Sequence, residues 1–448
     1  MRREKTKSWK GRRADDGRRG KPMGLIRSFK KTVRGTAEIL NAFHPAHRGA
    51  AAIACMEKCA ATSPVTPSSR HLEAAMRWLK LAQDSNETGG VAWGYRARRA
   101  VRTNLPLGWV APYPETTGYL IPTLIRYSDL TGDQQYLHRA KRMSRWELEI
   151  QLEDGGIQGG TLGEQPVASS TFVTGQVLFG LLSAYERYPS RALGGGALRA
   201  GEFLLDCLDE TGRFVKGYSQ FCEPGPKAYE VRTGLALAEL GDAFDDVRYR
   251  AAASLTADFA LSVQETNGWF GENDLDHHDQ PLTHTIGYVL EGLHGIGVRL
   301  DRGDCMAAVE RALDAIVPLI RSDGFLAGRW KSDWTAASDW GCLTGSAQIA
   351  GVFLRMYERT GKCEYLEAGR KLLGFVCFTQ ELQSGVAELD GGIHGSYPFH
   401  GEYGQWCVLN GATKFFCDSL MDYLRIAGPA GTGEADDERR ILLPANYR

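Results

Sequence analysis

The sequence predicts an all-α fold, a closed (α/α)6 toroid of six inner and six outer helices. Two observations support this prediction: a glycine-marked turn recurs six times along 448 residues, and each interval contains two helical hydrophobic patterns. The turns are TGGVAWGY at Gly90, DGGIQGG at Gly156, TGRFVKGY at Gly212, NGWFGEN at Gly268, DGFLAGRW at Gly324 and DGGIHGSY at Gly392. Their spacing of 56 to 68 residues indicates one supersecondary unit used six times.

In each unit one helical pattern is apolar on most faces and the other on one face only. The first kind predicts buried inner helices, which begin near Glu115, Ser170, Tyr229, His284, Cys342 and Gln405. These helices share a glycine, at Gly118, Gly175, Gly234, Gly287, Gly345 and Gly411. Because glycine costs a helix about 1 kcal/mol relative to alanine, its recurrence predicts that neighbouring inner helices approach closely. Six hairpins without polar capping repeats favour a closed ring over an open solenoid.

Composition divides the chain into a basic disordered arm over residues 1–49, a single barrel domain over 50–427 and a flexible tail over 428–448. The native start is Met1 or Met23. The net charge of −1 gives no sign of nucleic-acid binding, although the basic arm could touch an anionic surface. Ten cysteines without a CxxC pair, and no apolar stretch typical of a signal peptide or membrane span, predict a cytoplasmic location.

The six turns precede the inner helices, so all should lie at one end of the ring, the predicted mouth. Three residues before the shared glycine, Glu115 and His284 stand where repetition favours an apolar residue. A half-buried carboxyl at Glu115 would have a raised pKa and could serve as a general acid or base; the alternative is a residue that complements the helix dipole. His284 could exchange protons or bind a carboxylate; the alternative is a structural histidine.

The third inner helix begins with a phenol, a carboxylate and a guanidinium, at Tyr229, Glu230 and Arg232. We interpret these side chains as substrate-binding. Arg232 would suit a uronate through bidentate pairing, and the alternative is a local ion pair between glutamate and arginine.

The fifth and sixth turns lead into loops rich in aromatic and charged residues, which predict most of a sugar-binding pocket wall. The fifth loop supplies candidate binding residues Arg329, Trp330, Trp334 and Trp340 and the candidate catalytic carboxylate Asp333. The sixth supplies the binding candidates His394 and Glu402, and Tyr403 as a candidate base. Asp333, Asp339 or Glu402 would be the second carboxylate of a hydrolase. The alternative for the tryptophans is that their indoles plug the ring.

The segment DLDHHD, which follows the fourth turn at Asp274, contains carboxylates and imidazoles that suit a divalent ion. Adjacent side chains in an extended loop diverge, so they seldom converge on one ion. We therefore predict neither a metal nor another cofactor.

Four longer segments carry a family resemblance: YPETTGYLIPTL, HTIGYVLEGL, DWGCLTGSAQIAGVFLRMYERTGKCEYLEAGRKL and DGGIHGSYPFHGEYGQWCVLNGATKFFCDSLM. Over most of residues 85–425 the chain resembles helical-barrel proteins of bacterial exopolysaccharide and capsule biosynthesis clusters. More distantly it resembles the six-hairpin glycosidase superfamily, which includes glucoamylases, unsaturated glucuronyl hydrolases, sugar 2-epimerases and polysaccharide lyases. The resemblance implies a sugar-active site at the loop end of the barrel, but it transfers no catalytic pair.

The leading hypothesis is therefore a carbohydrate-active enzyme whose substrate is an anionic, uronate-bearing polysaccharide or its precursor. Hydrolysis, elimination and epimerisation all remain open. One alternative is a toroidal cyclase with a zinc site formed by Cys342, Cys407 and His394. The other is a non-catalytic scaffold that binds glycans during exopolysaccharide assembly.

Overall fold

The computed structural model describes residues 65–98, 107–218 and 222–428. The predicted basic arm 1–49 lies outside these ranges, as does all but the first residue of the predicted tail 428–448. Each helix in the described part of the chain is too short or too polar to cross a membrane.

Twelve α-helices occur in the described ranges. They are α1 Ser69–Asp84, α2 Pro114–Thr131, α3 Gln134–Ile150, α4 Thr171–Arg187, α5 Arg191–Cys207, α6 Val231–Phe244, α7 Val247–Ser262, α8 Thr283–Arg299, α9 Gly303–Ile316, α10 Leu343–Thr360, α11 Cys363–Thr379 and α12 Asn410–Ala427. Within the hairpins, α2 and α10 end at left-handed glycines, Gly132 and Gly361, and the Asp133 and Asp246 side chains cap the starts of α3 and α7.

The even-numbered helices form an inner ring and the odd-numbered helices an outer one. Every side chain of α4 from Thr171 to Leu182 is buried, whereas each outer helix leaves part of its surface exposed to solvent. Consecutive inner helices contact each other in chain order, and α12 returns to contact α2. At this junction the Thr123 hydroxyl donates to Asp418 at 2.8 Å. The predicted closed (α/α)6 toroid is confirmed.

The recurring glycine turns pack against the outer helices. In the second and sixth turns the left-handed residues are Gly155 and Gly391, one position before the predicted Gly156 and Gly392. Only the first glycine of each GG pair meets the backbone of the next outer helix. A Cβ atom would collide with the outer-helix backbone at Arg142 for Gly89, Arg199 for Gly155, Leu255 for Gly212, Arg311 for Gly268, Lys371 for Gly324 and Ala74 for Gly391. Ala74 belongs to α1, so the last turn closes the outer ring.

The close approach at Gly324 can be separated from its left-handed conformation. Gly324 has φ 88° and lies against the carbonyl of Lys371, whereas Gly361 has φ 71° with open space around it. We expect Gly324→Ala to lower the free energy of unfolding by about 1 to 3 kcal/mol more than Gly361→Ala, because only the former overpacks the helix contact. Denaturant unfolding measures both values, and equal losses would contradict the packing explanation.

Five of the six inner-helix glycines face a neighbouring inner helix, as predicted. The pairs are Gly118 with Val177, Gly175 with Thr233, Gly287 with Gln348, Gly345 with Thr283 and Gly411 with Tyr119. The prediction is wrong for Gly234, which faces Thr256 of its own hairpin partner α7.

Six segments, named here mouth loops, connect each outer helix to the next inner helix at one end of the ring. Their described residues are 85–98 and 107–113, 151–170, 208–218 and 222–230, 263–282, 317–342 and 380–409. Short strands occur within them: β1 Gly94–Arg96, β2 Gly108–Trp109, β3 Gly341–Cys342, β4 Ile393–His394, β5 Ser396–Tyr397 and β6 Cys407–Leu409. The antiparallel order β2-β1-β6-β4 joins the first mouth loop to the sixth. A second sheet, β3-β5, joins the fifth to the sixth.

A chain of charged side chains crosses the interior of the inner ring. Arg232 of α6 pairs with Glu291 of α8 at 2.5 Å. Arg355 of α10 approaches Glu291 at 3.4 Å and Asp422 at 3.9 Å. Asp422 of α12 pairs with Arg126 of α2 at 2.6 Å. Ion pairs therefore link five of the six inner helices.

Candidate active site

The inner-helix N-termini and the mouth loops enclose a cavity of about 570 Å³. Its wall consists of Trp93, Val110, Tyr113, Glu115, Thr116, Tyr119, Gly160, Thr161, Glu164, Phe172, Tyr229, Leu275, His284, Thr285, Tyr288, Tyr403, Leu409, Asn410, Gly411 and Ala412. The fifth mouth loop contributes none of these residues. The expectation that the fifth and sixth loops form most of the wall is therefore corrected, because the first two loops supply more of it.

Glu115 is the second residue of α2 and lies at the cavity wall. The Tyr113 hydroxyl donates to its Oε2 at 2.7 Å, and the Tyr288 hydroxyl donates to Oε1 at 3.4 Å. Burial raises the pKa of Glu115 to about 7, against the opposing effects of these two hydrogen bonds and the charge of Arg232. Near neutral pH the carboxyl can therefore either give or take a proton.

His284 is the second residue of α8, and only 7% of it is exposed. Its Nδ1 lies 2.5 Å from Oε1 of Gln348. Burial lowers the pKa of His284 to about 4, although the Gln348 hydrogen bond and the charge of Glu291 act in the opposite direction. The imidazole is thus neutral at neutral pH.

Tyr288 connects the two proton-transfer groups. Its hydroxyl reaches Glu115, and its ring centroid lies 4.3 Å from that of His284. A carboxyl from α2 and an imidazole from α8 are therefore separated by a single phenol ring at one cavity.

Five tyrosines give the wall aromatic faces with hydroxyl ends. They are Tyr113, Tyr119, Tyr229, Tyr288 and Tyr403. Burial raises the pKa of each phenol well above 10. The phenols therefore stay neutral. The hydroxyls of Tyr113 and Tyr288 donate to Glu115, and a phenol oxygen can also accept a hydrogen bond from a ligand.

Four residues singled out from the sequence line this cavity: Glu115, Tyr229, His284 and Tyr403. The fold brings them together from α2, the segment before α6, α8 and the sixth mouth loop. Their catalytic and binding roles remain predictions.

The two charged neighbours of Tyr229 do not line the cavity. Arg232 lies behind it, where its Nη1 pairs with Glu291 and its Nε donates to Gln176 at 2.8 Å. Glu230 is buried, and burial raises its pKa to about 8. The sequence alternative was a local ion pair between Glu230 and Arg232. Arg232 instead pairs with Glu291.

Arg329 ties three mouth loops together instead of facing the cavity. Its guanidinium donates to both carboxylate oxygens of Asp276 at 2.9 Å and to the Gln280 carbonyl at 2.9 Å. Its Nε lies 3.3 Å from Glu402. Arg329 is buried, while the Asp276 and Glu402 side chains are about half exposed. These contacts link the fourth, fifth and sixth mouth loops.

The three tryptophans of the fifth loop also pack between loops, outside the cavity wall. The Trp330 indole N–H donates to the Thr283 hydroxyl at 3.0 Å, and that of Trp334 to the Asn267 carbonyl at 3.1 Å. Trp340 is buried against Tyr403, behind the wall. Asp333 is exposed and accepts a hydrogen bond from the Thr335 backbone.

His394 is buried in β4, where its ring stacks on Phe399 at 3.9 Å. Burial lowers its pKa to about 3. Among the residues described, no three His, Cys, Asp or Glu side chains are grouped so that they could hold a metal ion. Cys342, Cys407 and His394 thus offer no support for the zinc-cyclase alternative.

Several wall residues were missed from the sequence, although two had a visible signal. Tyr119 and Tyr288 each follow the shared inner-helix glycine directly, in TTGY and TIGY. Tyr113 and Glu164 lie on irregular loops, where repetition offers no reference position. Trp93 lies within the first recurring turn, TGGVAWGY, but it was not singled out.

No family model and no curated protein matches this sequence. Solved structures do match. The chain has the six-hairpin glycosidase-like fold. An unsaturated glucuronyl hydrolase specific for heparin is 15% identical to this chain, with a TM-score of 0.62. The match covers 80% of this chain and 96% of the hydrolase. Cellobiose 2-epimerase from Bacillus thermoamylovorans B4167 is 13% identical with a TM-score of 0.62, covering 79% and 97%. A D-mannose isomerase is 15% identical with a TM-score of 0.62, covering 80% and 96%.

Proposed function

We propose that this protein is a carbohydrate-active enzyme that transfers protons to and from a sugar bound in the loop-side cavity. The observation that carries the proposal is the meeting of Glu115 and His284 at one wall, with Tyr288 in contact with both. Glu115 titrates near neutral pH, and His284 stays uncharged there. Acid–base catalysis uses such a pair, one group as the acid and the other as the base.

The walls suit a sugar because aromatic faces can cover its C–H surface while phenols and the Asn410 amide meet its hydroxyls. The cavity volume of about 570 Å³ is in the range of small-molecule sites. Solved structures with this fold include proteins named as hydrolases, an epimerase and an isomerase of sugars, which supports the same substrate class here.

The reaction we favour is proton transfer beside the carbonyl of an open-chain sugar. Neutral His284 takes the proton from the adjacent carbon, and protonated Glu115 gives its proton to the carbonyl oxygen. The C–H electron pair becomes the C=C bond of an enediol. When the enediol turns its other face to His284, return of the proton to the same carbon gives the 2-epimer, whereas return to the former carbonyl carbon gives the aldose–ketose isomer. In both cases the Glu115 carboxylate takes back a proton from the enediol hydroxyl whose oxygen becomes the carbonyl.

Hydrolysis is the second candidate, because Glu164 is the other carboxylate at the wall. Glu115 would protonate the leaving oxygen and Glu164 would act as base or nucleophile. The Thr161 hydroxyl and backbone N–H both donate to Oε2 of Glu164 at 3.0 Å and hold this carboxylate in place.

The predicted uronate preference and an elimination reaction have less support. Elimination would use Tyr403 or His284 as the base, and burial raises the pKa of Tyr403 well above 10. Arg232, the predicted uronate partner, is engaged by Glu291. Among the described wall residues there is no lysine or arginine, so we favour a neutral sugar.

Activity is expected to depend on pH in a direction that follows from the two pKa values. Glu115 must be protonated to act as the acid, so kcat/KM should fall as pH rises above about 7. His284 must be neutral to act as the base, so kcat/KM should fall only below about pH 4. A pH–rate profile measures both limbs. An activity that rises through pH 7 would contradict the assigned role of Glu115.

The decisive experiment incubates the protein in D2O with neutral and uronic reducing mono- and oligosaccharides. NMR follows deuterium at C2 and new epimers, while separate assays follow new reducing ends and unsaturated uronates. Deuterium incorporation into a neutral sugar is the expected result. New reducing ends without exchange would favour hydrolysis. Sugar binding without turnover, unchanged in Glu115→Gln, would overturn the enzyme proposal in favour of a glycan-binding scaffold.

A further inference from the structure

The buried amide of Gln348 connects His284 to the charged interior of the barrel. Gln348 belongs to α10 and is fully buried. Its Oε1 lies 2.5 Å from Nδ1 of His284, and its Nε2 lies 3.2 Å from Oε2 of Glu291. The amide therefore bridges a cavity-wall residue and a residue of the charge chain.

Glu291 determines which way the Gln348 amide is oriented. Its carboxylate accepts from Arg232 at 2.5 Å and from Arg355 at 3.4 Å. A carboxylate held between two guanidinium groups is an acceptor only. The Gln348 amide must then direct its NH2 group towards Glu291 and its carbonyl oxygen towards His284.

The orientation of the amide decides the tautomer of the imidazole. A carbonyl oxygen can only accept, so Nδ1 of His284 carries the hydrogen. In a neutral imidazole the other nitrogen, Nε2, then holds a lone pair. Within the described chain Nε2 has no hydrogen-bond partner. A histidine side chain without partners prefers the opposite tautomer, so the protein selects the less favoured form.

We propose that Gln348 and Glu291 are positioning residues, which fix the Nδ1–H tautomer of His284 and so present Nε2 to the cavity as the proton acceptor. The catalytic meaning of this inference rests on the proposed function. The tautomer itself does not, because hydrogen bonds within the protein determine it.

Gln176 provides a matched control. It is a fully buried amide on inner helix α4, and its Oε1 accepts from Nε of Arg232 at 2.8 Å. It approaches the same charge chain from another side, so Gln176→Leu removes a comparable buried amide without removing the acceptor for His284.

The test is 15N NMR of histidine-labelled protein, in which the two ring nitrogens of a neutral imidazole differ in shift. The His284 signal is assigned by its loss in His284→Gln. The expected result is Nδ1–H in the native protein and in Gln176→Leu, with a shift of the population towards Nε2–H in Gln348→Leu. Where turnover is measured, Gln348→Leu should lower kcat by a factor between about 10 and 10⁴ with a smaller change in KM.

The outcomes separate this inference from the proposed function. An Nε2–H signal for His284 in the native protein would overturn the inference whatever the activity. The inference would also be overturned if His284 had the same tautomer in Gln348→Leu as in the native protein. Thermal unfolding must first show that Gln348→Leu and Gln176→Leu are both folded. An Nδ1–H signal that shifts in Gln348→Leu, in a protein that turns over no sugar, would uphold the positioning and reject the proposed function.

Discussion

Glu115→Gln is expected to lower kcat for the sugar reaction by a factor on the order of 10² to 10⁴, the usual contribution of a general acid or base. The amide keeps the shape of the side chain and can still accept from Tyr113, but it cannot give a proton to the substrate oxygen. Sugar affinity, measured by titration calorimetry, should change little, so the loss should appear in kcat.

A carboxyl outside the site provides the control for this variant. Glu364 is exposed at the start of outer helix α11, and Glu364→Gln should retain native turnover. If Glu115→Gln keeps native turnover as well, Glu115 is not the proton donor and the reaction needs another acid.

The second large effect concerns stability. Glu291→Ala leaves Arg232 without its closest carboxylate in the interior, where about 9% of the Arg232 side chain and 10% of Glu291 are exposed. Removing one partner of a buried ion pair leaves an uncompensated charge, which costs about 3 to 5 kcal/mol. We expect the free energy of unfolding in denaturant to fall by that amount.

Glu358→Ala is the matched control for this prediction. Glu358 also lies on an inner helix and pairs with an arginine, Arg425, at 2.5 Å, but about a third of each side chain is exposed. Its removal should cost less than about 1 kcal/mol. Equal losses in the two variants would mean that burial does not control the strength of these pairs.

The fold could be predicted from the sequence because the repeat is a packing requirement. Each turn glycine meets the backbone of the next outer helix, so no larger residue fits and the glycine recurs. The predicted position was wrong by one residue at GG pairs such as Gly155 and Gly156. The sequence does not show which of the two glycines contacts the helix backbone.

Departure from the repeat predicted two of the four sequence candidates that line the cavity. Glu115 and His284 occupy equivalent positions on inner helices that favour apolar residues, and both line the cavity. The roles expected for Trp330 and Arg329 rested on composition alone. Trp330 joins the fifth loop to the start of α8, and Arg329 joins it to the fourth loop. Composition indicates which side chains are available, but loop geometry decides which of them face the cavity.

The contacts between the sixth mouth loop and α1 have a consequence for biosynthesis. The Trp78 indole donates to the backbone carbonyl of Glu388, 310 residues further along the chain, and Gly391 packs on Ala74 of the same helix. A ribosome releases α1 long before it has made the segment that covers it. Trp109 of the first mouth loop can cover one side of Trp78 early, at a centroid distance of 5.5 Å. The part of the α1 surface around Ala74 that packs on the sixth mouth loop stays exposed until translation is nearly finished.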